Sequence, residues 1–316
     1  MKRRPNNPKK QHVVPSSYLK RFADASGFLH VFDRSSNKWR RQRPKEVMHI
    51  RNYYRQEWAP AGVDQNVLEK SIGEWLESAA TTVINRLISP PLELRDEDIA
   101  NFLVYLEFQR VRVPRQIEMA KDLMKDMILR LGPPDITADI RSGKFQLTMK
   151  KSAGFHYLRM MVGQLHPWFA RMKWEVIKAE EGAAFITTDS PLSLWNAACL
   201  PPAEAGIGLV GTVVLFPLSS QYLLVMRHPE YLKNTSTSCL EVLPEPRRGE
   251  DLLPVTTGRV WSKRMVANHN KAMVHLSDRL VVGQSKEVLE ECVDLVPSLK
   301  GSLVGSPLRA STEHRP

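Results

Sequence analysis

Five residues of this 316-residue chain, His12, Glu69, Gln109, Arg112 and Asp189, have the types and positions that phosphodiester chemistry would use. Glu69 and Asp189 would hold a divalent cation such as Mg²⁺, which polarises a phosphate and activates water. His12 would act as general base or acid, and Arg112 would stabilise developing charge. The case for each is positional. At 100° per residue on one helix, Leu76 and Leu87 fall within about 20° of Glu69 and Ile72 within about 60°, so the carboxylate lies in the apolar stripe. By the same arithmetic Gln109 falls within about 20° of Phe102 and 40° of Val113 on a second helix, with Tyr105 and Arg112 on its flank. Asp189 follows Phe185-Ile186-Thr187-Thr188, a strand running into a turn at Ser190-Pro191, and a residue at a strand end can face a cleft. Asn270, one turn from Val266 and Val274, adds an inward amide. Each residue also has a structural alternative. Glu69 paired with Arg112 would stabilise the helices, Asp189 would bond its own backbone two residues on, and Asn270 would be a hydrogen-bonded core amide.

These groups need a frame that brings distant segments together, and the apolar pattern supplies its parts. Gln11-His12-Val13-Val14-Pro15 reads as a short strand or turn that Pro15 stops, and Ser16 or Ser17 then caps a helix carrying Tyr18, Leu19 and Phe22. The imidazole of His12 is thereby held between two ordered elements. A long helix opens at Asp64 or Gln65 and carries Leu68, Ile72, Trp75, Leu76, Ala79, Ala80, Val83, Ile84 and Leu87 at helical spacing until Pro90-Pro91. A second starts behind Arg95-Asp96-Glu97-Asp98, acids that suit its positive end, runs to Pro114, and continues with a kink to Leu131. A third covers Phe155 to Phe169. Short β-type runs follow at 174–177, 184–187, 212–216 and 222–226, then a last helix from Gly258 to Met273 and a closing strand at 279–282. The expected fold class is α+β: a helical layer in the middle of the chain with a small N-terminal hairpin and a mixed C-terminal sheet. The expected organisation is a disordered basic arm (1–10), one domain (11–296) with segregated halves, and a flexible tail (297–316). Within the domain, 11–60 hold the hairpin, 64–170 the helical layer and 174–283 the sheet with its one long helix.

Charge is concentrated at one end. The net charge is +11, and the first fifty residues hold thirteen Lys or Arg against three acids, so an anionic partner should meet the N-terminal part. Gly27 to Asp33 and Lys38 to Arg41 read as a β-hairpin with a basic second strand. Lys9, Lys10, Lys38, Arg40, Arg41 and Arg43 would take phosphates of a nucleic acid, with Trp39 either stacking on bases or packing under a solvated strand.

Other classes are disfavoured. Three widely spaced cysteines, Cys199, Cys239 and Cys292, encode neither a disulfide framework nor a zinc site. No apolar stretch follows Met1-Lys2-Arg3-Arg4, so a secretory signal is not expected, and the longest apolar run, 207–218, falls short of the ~20 residues that span a bilayer. A cytoplasmic protein without a membrane partner is the expectation. The chain has no His-Glu-x-x-His, no phosphate-cradling Gly-rich loop ending in Lys and no Gly-x-Ser-x-Gly elbow.

From Gln11 to about Gly283 the chain resembles a bacterial family catalogued as domain of unknown function 4238. The resemblance rests on an ordered series of landmarks: Gln-His-Val-Val-Pro at 11–15, Phe-Leu-His-Val-Phe-Asp at 28–33, Asn52-Tyr53-Tyr54, Leu68-Glu69, Phe108-Gln109, Arg112-Val113-Pro114, Thr187-Thr188-Asp189-Ser190-Pro191, Phe216-Pro217-Leu218 and Asn270. Val13 stands where the family usually has an aromatic residue, and Ser190 where it often has Asn. The resemblance places Tyr53, Tyr54 and Asn270 at the lining of the site and implies no reaction. Three functions follow as expectations: a metal-assisted phosphodiesterase or nuclease, a non-catalytic nucleic-acid- or partner-binding protein whose polar core is structural, and an enzyme on a small anion held by Arg112 and His12.

Overall fold

The computed structural model describes residues 10–51, 53, 72–148, 157, 160–199, 204–233, 238–246 and 255–293. The first strand, β1 (Lys10–His12), is short because Pro15 removes a donor and turns the chain into α1 (Ser16–Leu19), which a 3₁₀ turn at Lys20–Phe22 extends. Next come β2 (Leu29–Asp33), β3 (Lys38–Gln42) and β4 (His49–Arg51). A π-helical turn, Ile72–Glu77, leads into α2 (Ser78–Ile88), and α3 (Asp96–Val111), α4 (Pro114–Leu131) and α5 (Pro134–Arg141) complete the helical layer. Then follow α6 (His166–Arg171), β5 (Lys173–Ala179), β6 (Thr187–Thr188), β7 (Ser193–Trp195), β8 (Val213–Pro217), β9 (Tyr222–Arg227), α7 (Pro229–Lys233), β10 (Thr256–Trp261), α8 (Lys263–Leu276), β11 (Leu280–Gly283) and α9 (Lys286–Val293).

The expected α+β class holds: helices fill the middle of the chain and the C-terminal strands form a mixed sheet. That sheet has the order β10-β5-β9-β8-β7, with β10 and β5 parallel and the other neighbours antiparallel. A second sheet has the order β3-β2-β11-β6, and β1 and β4 form a two-stranded ribbon. The expected separation of halves gives way here. β2 pairs with β11, Val31 opposite Val282, so the N-terminal hairpin completes a sheet begun 250 residues later. Val31 and Phe32 point to opposite faces of β2 and are buried in the two core clusters, so both faces of the strand must be covered.

The larger core cluster lies between α2, α3 and the five-stranded sheet and includes Phe22, Phe102, Trp174 and Phe216; the smaller joins Phe32, Ile186 and Val281 to α8 and α9. Tyr18 ties the N-terminal segment to both sheets. Its hydroxyl donates to the Pro217 carbonyl (2.7 Å), so the 2.9 Å contact with Thr187 has the threonine as donor. Tyr18→Phe leaves both partners buried and unmatched, and chemical denaturation should show a loss of about 1–3 kcal/mol.

Local expectations are corrected at five places. The helix expected over Gly258–Met273 is a strand and then a helix: Gly258 takes φ +92° inside β10, and Ser262 Oγ accepts the Met265 N–H to start α8 at Lys263. Of the helix expected from Phe155 to Phe169, the described residues show a break at Gly163 (φ +98°) and a fresh start at His166, with Pro167 in its first turn. Of the 184–187 run only Thr187 is strand, joined with Thr188 in β6, and the chain continues past β11 into α9. Trp75, placed in the buried stripe of the first long helix, is 57% exposed, because it lies within a π-turn, where 100° per residue no longer gives the facing.

Candidate functional site

The expected polar residues fall into two groups on either side of the elbow where α3 passes into α4. Val113 is extended there (φ −70°, ψ 144°), as the residue before a proline tends to be, so Arg112 ends one helix and Arg115 opens the next.

The first group surrounds Arg112. α3 is buried around most of its circumference, which forces polar side chains into the interior: Gln109 is 1% exposed and Arg112 0%. Arg112 Nη1 lies 3.1 Å from Glu77 Oε1, its guanidinium sits 5.1 Å from the Phe108 ring centroid, and Tyr53 donates its hydroxyl to the Arg112 carbonyl at 2.8 Å. Burial pushes the nearby Tyr105 hydroxyl well above its ordinary range, while the charge of Arg112 pulls it back. Neither the oxygen nor the nitrogen of the Gln109 amide has a hydrogen-bond partner, a deficit of about 1–3 kcal/mol in a buried site. The described acid beside Arg112 is therefore Glu77. Glu69 and Tyr54 lie outside the described residues.

His12 stands in the β1–β4 ribbon opposite His49, the two rings edge to face at 5.8 Å. β4 ends at Arg51, two residues before Tyr53, whose hydroxyl reaches the Arg112 carbonyl at the elbow.

The second group gathers at the start of β11. Asp189 Oδ1 accepts the Asp278 N–H (3.0 Å) and Oδ2 the N–H groups of Arg279 and Leu280 (both 2.7 Å). Its bonds thus run to a turn 90 residues away rather than to its own backbone. Burial lifts its pKa to about 6 although these donors favour the charged form. Asn270 fastens the segment leading to it, accepting from Ile186 N (3.2 Å) and donating to Ala184 O (2.9 Å), as expected of a core amide. Arg34 donates to the carbonyl and hydroxyl of Ser277, and the charges of Asp189 and Arg115 both act on it. Among the described residues no three His, Cys, Asp or Glu side chains converge as metal ligands, and the expected pair Glu69–Asp189 has one member outside them.

The chain matches the family described as "Protein of unknown function (DUF4238)" over residues 10–287. It belongs to that family. The landmarks at Gln-His-Val-Val-Pro, Phe108-Gln109, Arg112-Val113-Pro114, Thr187 to Pro191 and Asn270 are the positions from which the two groups are built. No curated protein and no solved structure matches the chain. No helix among its described residues is long and apolar enough to cross a membrane.

The basic hairpin lies at the margin of the four-stranded sheet, with β3 its outermost strand. Lys38, Arg40, Arg41 and Arg43 are exposed along it. Arg40 pairs with Asp33 (2.6 Å) and Arg41 with Asp24 (2.7 Å), while the guanidinium groups of Arg41 and Arg43 lie 4.4 and 4.8 Å from the centroid of Phe28. Trp39 packs on Phe32 with ring centroids 4.7 Å apart, which fits the packing alternative. Lys9 and the side chain of Lys10 lie outside the described residues.

Several residues of these groups escaped sequence reasoning. Glu77, Arg34 and Arg115 are charged residues at unremarkable spacing. The one available signal was the density of arginine in Arg110-Val111-Arg112-Val113-Pro114-Arg115, more cation than an interior tolerates without acids brought from elsewhere.

Proposed function

We propose that this protein binds nucleic acid, taking the phosphate backbone along strand β3. The observation that carries this reading is the group of exposed cations on and just after a sheet-edge strand, Lys38, Arg40, Arg41 and Arg43, two of them held in place over Phe28. Exposed ion pairs such as Arg41–Asp24 are weak, so Arg41 can exchange that carboxylate for a phosphate at little cost. Phosphate contacts of this kind give affinity without sequence preference, and each one neutralised contributes close to one unit to the salt dependence.

A second reading, cleavage of the bound phosphodiester, is favoured by the unbonded Gln109 amide one turn from Arg112, which a ligand's polar group would complete. In that scheme Arg112 stabilises charge, His12 moves the proton and Gln109 orients the phosphate. Asp189 holds the 278–280 turn, and no step is routed through a metal.

Binding of labelled single- and double-stranded DNA and RNA across a salt series tests the first reading. Lys38→Ala with Arg43→Ala should lower the slope of log K against log salt by about 2 and leave the thermal midpoint unchanged. An unchanged slope overturns it. Product analysis on the same substrates with Mg²⁺, Mn²⁺ or EDTA tests the second: cleavage lost in His12→Ala and Gln109→Leu at unchanged stability supports it, and intact substrate throughout removes it.

A further inference from the structure

We infer that Arg110, Arg115 and Gln116 form a separate anion-binding site for a small doubly charged ligand, a phosphate or a dicarboxylate, which the protein's own Glu204 occupies here. The donors come from the last turn of α3 and the first turn of α4, so the elbow fixes them relative to one another. The acceptor comes from the connection between β7 and β8. Arg110 Nη2 lies 2.5 Å from Glu204 Oε2, Arg115 Nε 3.2 Å from Oε1, and Gln116 Nε2 3.1 and 3.0 Å from Oε1 and Oε2. Arg115 is itself steadied by donating to the Leu276 carbonyl at 2.9 Å. The side chains of Arg110 and Arg115 are 7% and 9% exposed, and that of Glu204 16%, which makes the carboxylate the outermost member of the group.

Charge gives the ligand class. Two guanidinium groups meet one carboxylate, an excess of one positive charge where water is nearly excluded, and buried charge is costly unless matched. The two cations outweigh burial and hold Glu204 below its ordinary range. A group carrying two negative charges in place of the single carboxylate would balance the arginines. Arg34, the neighbouring cation, is already answered by Asp189 and Asp278. Tyr157 lies close enough for the charges of Arg110 and Glu204 to act on its hydroxyl.

The test is calorimetric titration of the full-length protein with inorganic phosphate and, separately, malonate at constant ionic strength. Glu204→Gln keeps the side-chain volume and removes the competing charge. It should bind at least one anion tenfold or more tightly than wild type, and Arg115→Met in the same background should lose the gain. Glu204→Asp, which keeps the charge and withdraws it by one methylene, should show a smaller gain and serves if the first variant fails to fold. Preference for phosphate or for malonate then names the ligand. No gain with either anion in the folded variants, or a gain that survives Arg115→Met, overturns the site.

Discussion

Acidification from pH 6.5 towards pH 3 is expected to cost the protein up to about 5 kcal/mol through His269 alone, and His269→Leu to remove that loss. The imidazole is buried on α8, edge-on to Phe185 at 5.4 Å and 6.1 Å from Trp261, and its Nε2 has no hydrogen-bond partner. Burial lowers its pKa to about 3 from 6.5. Below pH 6.5 the unfolded chain takes up a proton that the native state refuses, so stability falls as the pH falls, by about 1.4 kcal/mol per unit of difference. Asp189 works in the opposite direction. Its pKa of about 6 lies above the ordinary 3.8, so the native state holds the proton more tightly. That contribution grows as the pH drops from about 6 to 4, by at most about 3 kcal/mol, less what water screens at its partly exposed side chain. Urea midpoints at pH 7, 5.5 and 4 for wild type, His269→Leu and Asp189→Asn measure both. Leucine at 269 should flatten the profile and asparagine at 189 should steepen it. An acid loss in His269→Leu equal to that of wild type would show that the proton is taken up elsewhere.

Trp174→Ala should cost about 3–5 kcal/mol, enough to leave a protein of ordinary stability partly unfolded. Trp174 is fully buried on β5, where the five-stranded sheet meets the helical layer, with its ring 5.9 Å from Phe102 and its indole N–H on the Phe169 carbonyl at 2.8 Å. Alanine removes the ring from the centre of the larger core and takes away the shorter of the two hydrogen bonds on the Phe169 carbonyl, leaving only the Met172 N–H at 3.3 Å. Thermal or urea unfolding measures the loss directly. A cost near 1 kcal/mol would mean that the core closes over the vacancy.

Much of the helical layer was legible because an amphipathic helix prints its burial on the sequence. Ala80, Val83, Ile84 and Leu87 lie inside, where their spacing puts them. The same arithmetic does not carry through Ile72–Glu77, since 100° per residue describes an α-helix and not a π-turn, and Glu77, which the spacing did not single out, pairs with Arg112. On α3 periodicity carried less information. A helix covered on most sides buries Glu107, Gln109, Arg110 and Arg112 with its apolar residues, and no single stripe remains to read.

Local pattern, turn chemistry and charge count determined the element types over most of the chain, the basic outer strand of the N-terminal hairpin and the class of the fold. Each depends on residues a few positions apart. Tertiary structure alone decided that β2 pairs with β11, that Asp189 takes the N–H groups of 278–280, and that Arg110 and Arg115 share Glu204. Those partners lie about 90 to 250 residues apart, and a buried charge or an uncovered strand states only that it needs a partner, while packing selects which one.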